Sequence, residues 1–467
     1  MSGAFDAIVI GTGQAGPALA ARFSAAGRKV AVIERHKFGG TCVNDGCTPT
    51  KTLIASAYAA RIVARAAEYG VQTGATRVDM KRVKARKDAV VAASAGNVEK
   101  WMHGLENVRV YRGHARFVDE RSVAVGGETL EAAQIFVDVG GRPLIPKMPG
   151  IDAVPYLTNV SMMAVDFVPE HLIVVGGSYI GLEFGQAYRR FGARVTVVEM
   201  GPRLIGREDE DVSQAVQEFL QAEGIEVALN AECVSAERDG KGIAIGVDCR
   251  DGAPKIRGSH LLLAVGRVPN TDDLGLEAAG IRTDERGFIE VDGELRTSNS
   301  NVWALGDCNG KGAFTHTAYN DFEIVADNLL NGARRQWTDR VPVYALYTDP
   351  PLGRVGMSEA EIRKAGLRAL VGKRPMTRVA RAVEKGETAG FLKMHVEQDS
   401  QRILGAALLG TSADESVHSL IDAVYAKTRY SEFQRRVRIH PNVSELLPFV
   451  LEDLKPLQAD MAPLVSR

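Results

Sequence analysis

The strongest constraint on this 467-residue chain is a strand–turn–helix–strand unit that occurs twice with the same internal spacing. The first copy, "DAIVIGTGQAGPALAARF" followed by "GRKVAVIE", sets Gly11, Gly13 and Gly16 between a β-branched strand and a helix. Gly11 permits the tight turn, Gly13 lets the backbone approach a pyrophosphate, and Gly16 lets helix and strand pack closely. The helix N-terminus then turns unpaired N–H groups toward the phosphates. The next strand ends in Glu34, placed to bind ribose hydroxyls. Alone, such a glycine pattern is weak and an ordinary turn can produce it; its setting and the acid strengthen it. The second copy, "HLIVVGGSYIGLEFGQAYRRFGARVTVVE", repeats every part. Gly11 to Glu34 spans 23 positions, and so does Gly176 to Glu199. Two dinucleotide folds are therefore expected. The second turn departs once: Ser178 stands where the middle glycine is usual, before Gly181. Its side chain either donates a hydrogen bond or crowds the pyrophosphate. Gly176, Gly177 and Gly181 remain, so binding is expected to survive.

Length alone points to about three units. Apolar residues make up 45% and charged residues 25%, enough for each unit to build a normal core. The formal net charge of −1 gives no global pull toward nucleic acid or anionic membrane. No hydrophobic run approaches the roughly 18 residues a membrane span needs. The apolar start carries Asp6 and three glycines and lacks a basic leader, so it reads as strand, turn and helix rather than a signal peptide. A cytoplasmic location is expected. There stable disulfides are rare, and paired cysteines tend to be catalytic or metal-binding.

That bears on "GGTCVNDGCTPTK", which holds Cys42 and Cys47. On a regular helix five positions turn the chain by about 500°, leaving the side chains about 140° apart. A disulfide needs Cβ atoms about 4 Å apart. The two can bridge only if the segment is a loop or a distorted first turn, and Gly39, Gly40, Gly46 and Pro49 supply that irregularity. The following "TKTLIASAYAARIVARAAEYG" predicts a helix whose N-terminus lowers thiol pKa. A ferredoxin-type cluster would need a third cysteine three positions after Cys47, and none is there. A redox pair is the favoured reading and no metal site is expected. Cys233, Cys249 and Cys308 read as small buried residues.

Each repeat ends in an exit element, "DVGGRP" and "AVGRVPN", read as strand ends entering Gly-Pro turns. "TSNSNVWALGD" ends at Asp307, an acid at a strand's carboxyl end that can reach a second part of a bound nucleotide. "VDMKRVKARKDAVVAASAGNVEKWMHGL" predicts a helix with a solvated basic half. From residue 341 the composition changes: strands and an amphipathic helix in "VPVYALYTDPPLGRVGMSEAEIRKAG", a β-meander in "AGFLKMHVEQDSQRILGAALLG", and the helix "SADESVHSLIDAVYAKT".

Taken together, the two glycine folds, the early CxxxxC and the strand ending in Gly306-Asp307 resemble the flavoprotein disulfide reductases. These are the lipoamide dehydrogenase, glutathione reductase and mercuric reductase family, and the match runs in order over essentially the whole chain. The resemblance implies an α/β architecture: two Rossmann-like domains plus a C-terminal α+β dimerisation domain. It implies an FAD domain at 1–150, an NAD(P)H domain at 151–268, a return segment at 269–340 and a dimerisation domain at 341–467.

The resemblance also implies roles. Cys42 is the interchange thiol that meets substrate and Cys47 the thiol against the flavin. Lys51 lies near the flavin's reactive nitrogen, with Glu183 as its ion-pair partner. Tyr179 covers the flavin until nicotinamide enters. Asp307 contacts the ribityl chain, and the segment from His316 passes under the ring. Cofactor contacts extend to Thr41, Gly140, Thr315, Ala318, Ile180 and Gly266. In "HPNVSE", His440 and Glu445 match the acid/base pair that reaches the disulfide of the other subunit, which implies a homodimer. Without the resemblance Tyr179 would read as packing, and Lys51 and His440 as surface residues.

A carboxylate at Glu199 favours two free ribose hydroxyls and repels a 2′-phosphate, so NADH is favoured over NADPH. Arg203 and Arg207 leave room for NADPH. The acceptor stays open. "YTDPPLGRVGMSE" and "HPNVSELLP" resemble the mercuric-reductase-like branch, yet delivery of that ion needs a cysteine pair near the C-terminus and no cysteine follows Cys308. The first expectation is a reductase of a small or protein-bound disulfide, such as a lipoyl group. The second is a stress oxidoreductase for a reactive chlorine or sulfur species or a metal ion. The third is a redox or nucleotide sensor or accessory subunit, against which the full Cys42, Cys47, His440 and Glu445 set argues.

Overall fold

Strands buried at every position must be covered on both faces. Val30–Glu34 and His171–Val175 are such strands, buried throughout. Each lies inside a parallel sheet. The computed structural model describes residues 4–231, 234–248 and 255–458.

In the first sheet Val108–Arg112, Val30–Glu34, Ala4–Ile10 and Glu128–Val137 run parallel in that order. The long strand Glu128–Val137 divides its free edge. Its first half pairs antiparallel with Ser122–Val125, and its last three residues pair parallel with Val302–Ala304. The chain therefore leaves this sheet and returns to it after the second fold. Side chains alternate as the pleat requires. Ile8, Ile10, Ile33 and Ile135 pack on one side. Ala7, Val9, Val32 and Phe136 pack on the other, against Leu19 and Phe23 of the helix Gly16–Ala25.

The second sheet is parallel, in the order Glu226–Ala228, Arg194–Val198, His171–Val175, His260–Leu263. The two predicted exit elements meet: Gly141–Pro143 and Arg267–Pro269 pair antiparallel and form a two-stranded bridge between the folds. The C-terminal third forms a six-stranded antiparallel sheet around Leu352–Gly356, Ile403–Leu409 and Phe391–Glu397. An α/β architecture with a separate C-terminal antiparallel unit is thus present. Among the described residues no helix is long and apolar enough to cross a membrane.

One local reading needs adjustment. The segment "SADESVHSLIDAVYAKT" is two helices, Ala413–Ser416 and His418–Tyr425, meeting at Val417. The basic helix runs Met80–His103, capped by the Asp79 carboxylate, which accepts from the Lys81 and Arg82 amides. Cys308 is buried, whereas Cys233 and Cys249 lie outside the described residues.

Buried charge locks the C-terminal sheet to the second fold. Arg354 Nη1 donates to Asp209 at 3.0 Å and to Glu208 at 3.3 Å. Lys393 Nζ donates to Asp209 at 2.9 Å, Asp211 at 2.6 Å and Glu359 at 2.9 Å. Burial alone would raise the Asp209 carboxyl, but Arg354 and Lys393 outweigh it and hold it below its usual range. The His395 imidazole, 3.8 Å away, and then the Lys393 ammonium hold Glu359 down to about 2. Carboxylates depressed in this way add stability above their ordinary range and lose it as pH falls toward the folded value.

Lys393→Met leaves three carboxylates facing one another and should cost about 3–5 kcal/mol at neutral pH. Urea unfolding checks this. The wild type should also lose stability as pH falls from 4.5 toward about 2, and the variant should lose less. An unchanged midpoint in the variant would show that the cluster does not couple the units.

Candidate functional site

A cavity of about 2770 Å³ runs between the two dinucleotide folds and the C-terminal unit. Single small-molecule sites occupy about 300–1,000 Å³, so this space accommodates more than one large ligand. Its walls bring together Gly11, Gly13, Glu34, Thr41, Cys42, Cys47, Lys51, Gly140, Gly176, Ser178, Tyr179, Ile180, Glu183, Glu199, Gly266, Asp307, Thr315, His316 and Ala318. Gly16 and Gly181 lie behind that wall. A Cβ on Gly16 would stand 2.4 Å from the Gly11 oxygen, and one on Gly181 2.0 Å from the Gly176 oxygen. Both glycines therefore set how closely helix and strand pack.

The two turns match in geometry. Gly11 and Gly176 have φ of +104° and +116°, which only glycine adopts without strain. Glu34 accepts from the Thr12 amide at 3.0 Å and from the His36 amide at 2.7 Å. Glu199 accepts likewise from the Gly177 amide at 2.7 Å and the Gly201 amide at 2.8 Å. Each carboxylate is pinned at its strand end beside its glycine turn.

The cysteines sit where a helix is interrupted. Cys42 lies in the short helix Gly40–Asn44, and Cys47 is the first residue of Cys47–Ala64. Asp45 and Gly46 break the path between them, with Gly46 at φ −132° and ψ −114°. The break cancels the angular separation that a continuous helix would impose, and the thiols are close enough to hydrogen-bond. Cys42 S–H donates to Cys47, which together with burial raises Cys42 far above the usual thiol range. The same hydrogen bond lowers Cys47 to about 6, opposed by burial and assisted by Thr315 and Lys51. Thr315 Oγ1 lies 3.3 Å from Cys47 Sγ. At neutral pH this is one thiolate and one thiol, with Cys47 carrying the charge.

Lys51 Nζ, one helical turn beyond Cys47, donates to Glu183 Oε2 at 2.7 Å. Glu183 Oε1 accepts from the Tyr347 amide at 3.0 Å. Tyr179 packs edge-on to Phe314 at 5.8 Å and to Tyr344 at 5.7 Å. Tyr344 donates to the buried Glu208, and burial raises Tyr179 to about 12, so both phenols stay neutral. His316 Nε2 donates to the Val343 carbonyl at 2.8 Å, and burial holds its pKa down. Burial pushes Asp307 up, and Arg267, 3.5 Å away, opposes it.

His440 and Glu445 pair with each other, Nδ1 lying 3.0 Å from both carboxylate oxygens. They do not reach the cavity of their own chain, and the His440 side chain is 74% exposed.

Several lining residues carried no sequence signal strong enough to single them out. Arg267 reaches Asp307, Thr41 and the Gly141 carbonyl from within "AVGRVPN". Tyr344, Tyr347 and Phe314 form aromatic walls that only the tertiary fold assembles. Asp138 lies in "DVGGRP" at the carboxyl end of a strand, the same placement that marked Asp307. Ser178 is explained by its counterpart. A Cβ on Gly13 would stand 2.9 Å from the Asp138 carboxyl, whereas the residue equivalent to Asp138 in the second fold is Ala264. A methyl group leaves room for a side chain that a carboxyl does not.

A family model described as pyridine nucleotide-disulphide oxidoreductase matches residues 5–321, and that family's dimerisation domain matches 343–448. Mercuric reductase of Streptomyces lividans is 32% identical over 449 residues, covering 95% of this chain and 94% of that protein. The probable pyridine nucleotide-disulfide oxidoreductase RclA of Escherichia coli (strain K12) is 33% identical over 458 residues, covering 95% and 98%. The solved Cu(II) complex of HOCl-induced flavoprotein disulfide reductase RclA from Escherichia coli has a TM-score of 0.88 at 32% identity, covering 96% of this chain and 99% of that one. The paired glycine turns, the thiol–thiolate pair between them and these matches over nearly the full length have one consequence: the chain belongs to the pyridine nucleotide-disulphide oxidoreductase family of flavoenzymes.

Proposed function

We propose that this chain is an NADH-favouring, FAD-dependent oxidoreductase that reduces a disulfide-type acceptor through Cys42 and Cys47. The observation that carries the reading is the asymmetric thiol pair in a cavity shared by two dinucleotide turns. The first turn fits FAD: its glycines leave a backbone cradle, the helix Gly16–Ala25 points its amides at it, and Glu34 stands where a ribose binds. Bound there, FAD would supply two-electron exchange between a nicotinamide and the cysteine pair.

The protein's own groups then carry the thiol chemistry. Cys47 holds its negative charge beside Lys51 and Thr315. Cys42 must give up its proton to become a nucleophile. His440 of the partner subunit takes that proton, oriented by its carboxylate. The Cys42 thiolate attacks one sulfur of the acceptor, forming a mixed disulfide and expelling the first thiolate, which is protonated by the same imidazolium. Cys47 then attacks Cys42, closing the Cys42–Cys47 bond and releasing the second thiolate. Homodimerisation completes the site in this reading, and NAD(P)H supply puts it in the cytoplasm. Tyr179, packed on Phe314 and Tyr344 in the cavity wall, would shield the bound cofactor until nicotinamide enters.

Glu199 supports NADH, because both of its oxygens are pinned by backbone amides beside the second turn. Arg203 donates to the Gly206 carbonyl at 3.1 Å, so its guanidinium is partly committed elsewhere.

A second reading, reduction of a reactive chlorine or sulfur species or of a metal ion, is favoured by the RclA structures. Both are described as HOCl-induced and one as a Cu(II) complex, and their lengths match this chain almost completely. Anaerobic NADH oxidation with a panel of small disulfides, lipoamide and Cu(II) separates the readings by which acceptor re-oxidises the reduced enzyme fastest.

Cys42→Ser should abolish disulfide turnover while FAD stays bound and the protein stays yellow. Full turnover in that variant would sink the relay. Glu199→Ala should raise KM for NADH about tenfold, the order of one lost charge-assisted hydrogen-bond pair, and narrow the NADH-to-NADPH ratio. Steady-state rates with both nucleotides check it; an unchanged ratio would remove Glu199 from cofactor choice.

A further inference from the structure

The two dinucleotide folds differ at a buried position beneath the glycine turn. A Cβ on Gly11 would stand 2.2 Å from the Asp138 oxygen, and a Cβ on Gly176 would stand 2.4 Å from the Ala264 oxygen. Residues 138 and 264 are therefore equivalent, a carboxyl in the first fold and a methyl in the second. Asp138 is 5% exposed. Its Oδ2 accepts the Gly16 amide at 2.7 Å, one of the donors at the start of the helix Gly16–Ala25. The carboxyl also abuts Gly13, where a Cβ would stand 2.9 Å from Oδ2, and Gly306, where one would stand 3.1 Å from Oδ1. It is thus wedged between the glycine turn, its helix and the returning strand, and it lines the cavity.

Its surroundings are acidic. Glu34 faces it from the second strand, Asp307 from the segment Gly306–Asn309, and Asp321 from the helix Thr315–Asn331. The Cys308 thiol is also close and is held neutral by burial. The nearest guanidinium groups are committed, Arg267 to Asp307 and Arg340 to Asp321. Burial, reinforced by the neighbouring acids and opposed by the Gly16 amide, pushes Asp138 up to about 8. A carboxylate here would also repel a pyrophosphate strongly in a low-dielectric site. A protonated acid keeps an acceptor for Gly16 and adds a donor.

We propose that Asp138 makes FAD retention pH-dependent: as an acid it holds the first glycine turn in its pyrophosphate-binding shape, and as a carboxylate it drives the dinucleotide out. The proposal rests on the reading that the first turn holds FAD. The sign follows from linkage: an FAD that binds the acid form raises the Asp138 pKa further in the bound protein than in the free one. The contribution is complete at low pH and is lost as pH rises through the transition.

The test is FAD release from the purified holoenzyme between about pH 6.5 and 9.5, with free flavin read by ultrafiltration and fluorescence. In the wild type, Kd should weaken about tenfold per pH unit above the transition. Asp138→Asn keeps the acceptor for Gly16, supplies a donor and cannot ionise, so its Kd should stay flat. Asp138→Ala should weaken FAD at every pH. NADH binding at the second turn, where Ala264 stands, should stay flat and serves as internal control. Equal alkaline release from wild type and Asp138→Asn would trace the effect to Asp307 or Asp321 and overturn the proposal, as would a flat wild-type profile. If the wild type binds no FAD even at the acid end, the FAD reading itself fails, and the proposal with it.

Discussion

The Lys51–Glu183 ion pair is the joint through which all three parts of the molecule reach the thiols. Lys51 lies four residues beyond Cys47 on the same helix, so both side chains share a face. Glu183 lies on the helix that opens the second fold and is almost wholly buried. One of its oxygens takes Lys51 and the other takes the Tyr347 amide from the edge of the C-terminal sheet. A carboxylate this buried keeps its charge only with a partner at hydrogen-bond distance. The Lys51 ammonium also rests 4.5 Å above the Tyr347 ring. The charge that steadies Cys47 is therefore held by groups from three separate units. The Cys42 hydrogen bond does most to hold Cys47 as a thiolate, and the packing of those units adds the Lys51 charge beside it.

The repeat is a duplication in shape but not in chemistry. Both turns share a left-handed first glycine, a close third glycine and a pinned glutamate. They part at the floor beneath the turn, where Asp138 faces Gly13 and Ala264 leaves space for Ser178. Seen by itself, the serine is a departure from pattern. Seen with its floor, it is half of a paired exchange: a side chain moved from the strand end to the turn. The first site gains a group that titrates and the second does not.

What the sequence made legible was local. The glycine turns, the acids closing each repeat, the irregular cysteine segment and the His440–Glu445 spacing all depend on neighbours a few residues apart, and the structure has each element where those patterns put it. The cysteine case shows the limit. The sequence predicted an irregular segment and the helix after it, but not the short helix before it or that two residues, Asp45 and Gly46, do the turning. Arg267, Tyr344 and Glu208 were invisible because their partners lie far off in sequence: Arg267 meets Thr41 across 226 positions, and Tyr344 meets Glu208 across 136. Nor does hydrophobic periodicity register the break at Val417, since both short helices keep the same apolar stripe.

The position of His440 follows the same logic of distant partners. The thiols need a base, because Cys42 keeps its proton while Cys47 holds the charge. Of the imidazoles that line the cavity of the same chain, His316 gives its Nε2–H to the Val343 carbonyl and His114 gives its Nε2–H to the Asp273 carbonyl. The pair with the right chemistry stands on a surface segment beside Val437 and Ile439, which are 99% and 81% exposed. The segment belongs to the part of the chain matched by a dimerisation domain. A second copy laid over it would bury those side chains and carry the imidazole away from its own chain toward a neighbour's cavity. In the proposed relay, the acid/base pair and the apolar exposure would be two consequences of one requirement, a chemistry divided between two chains.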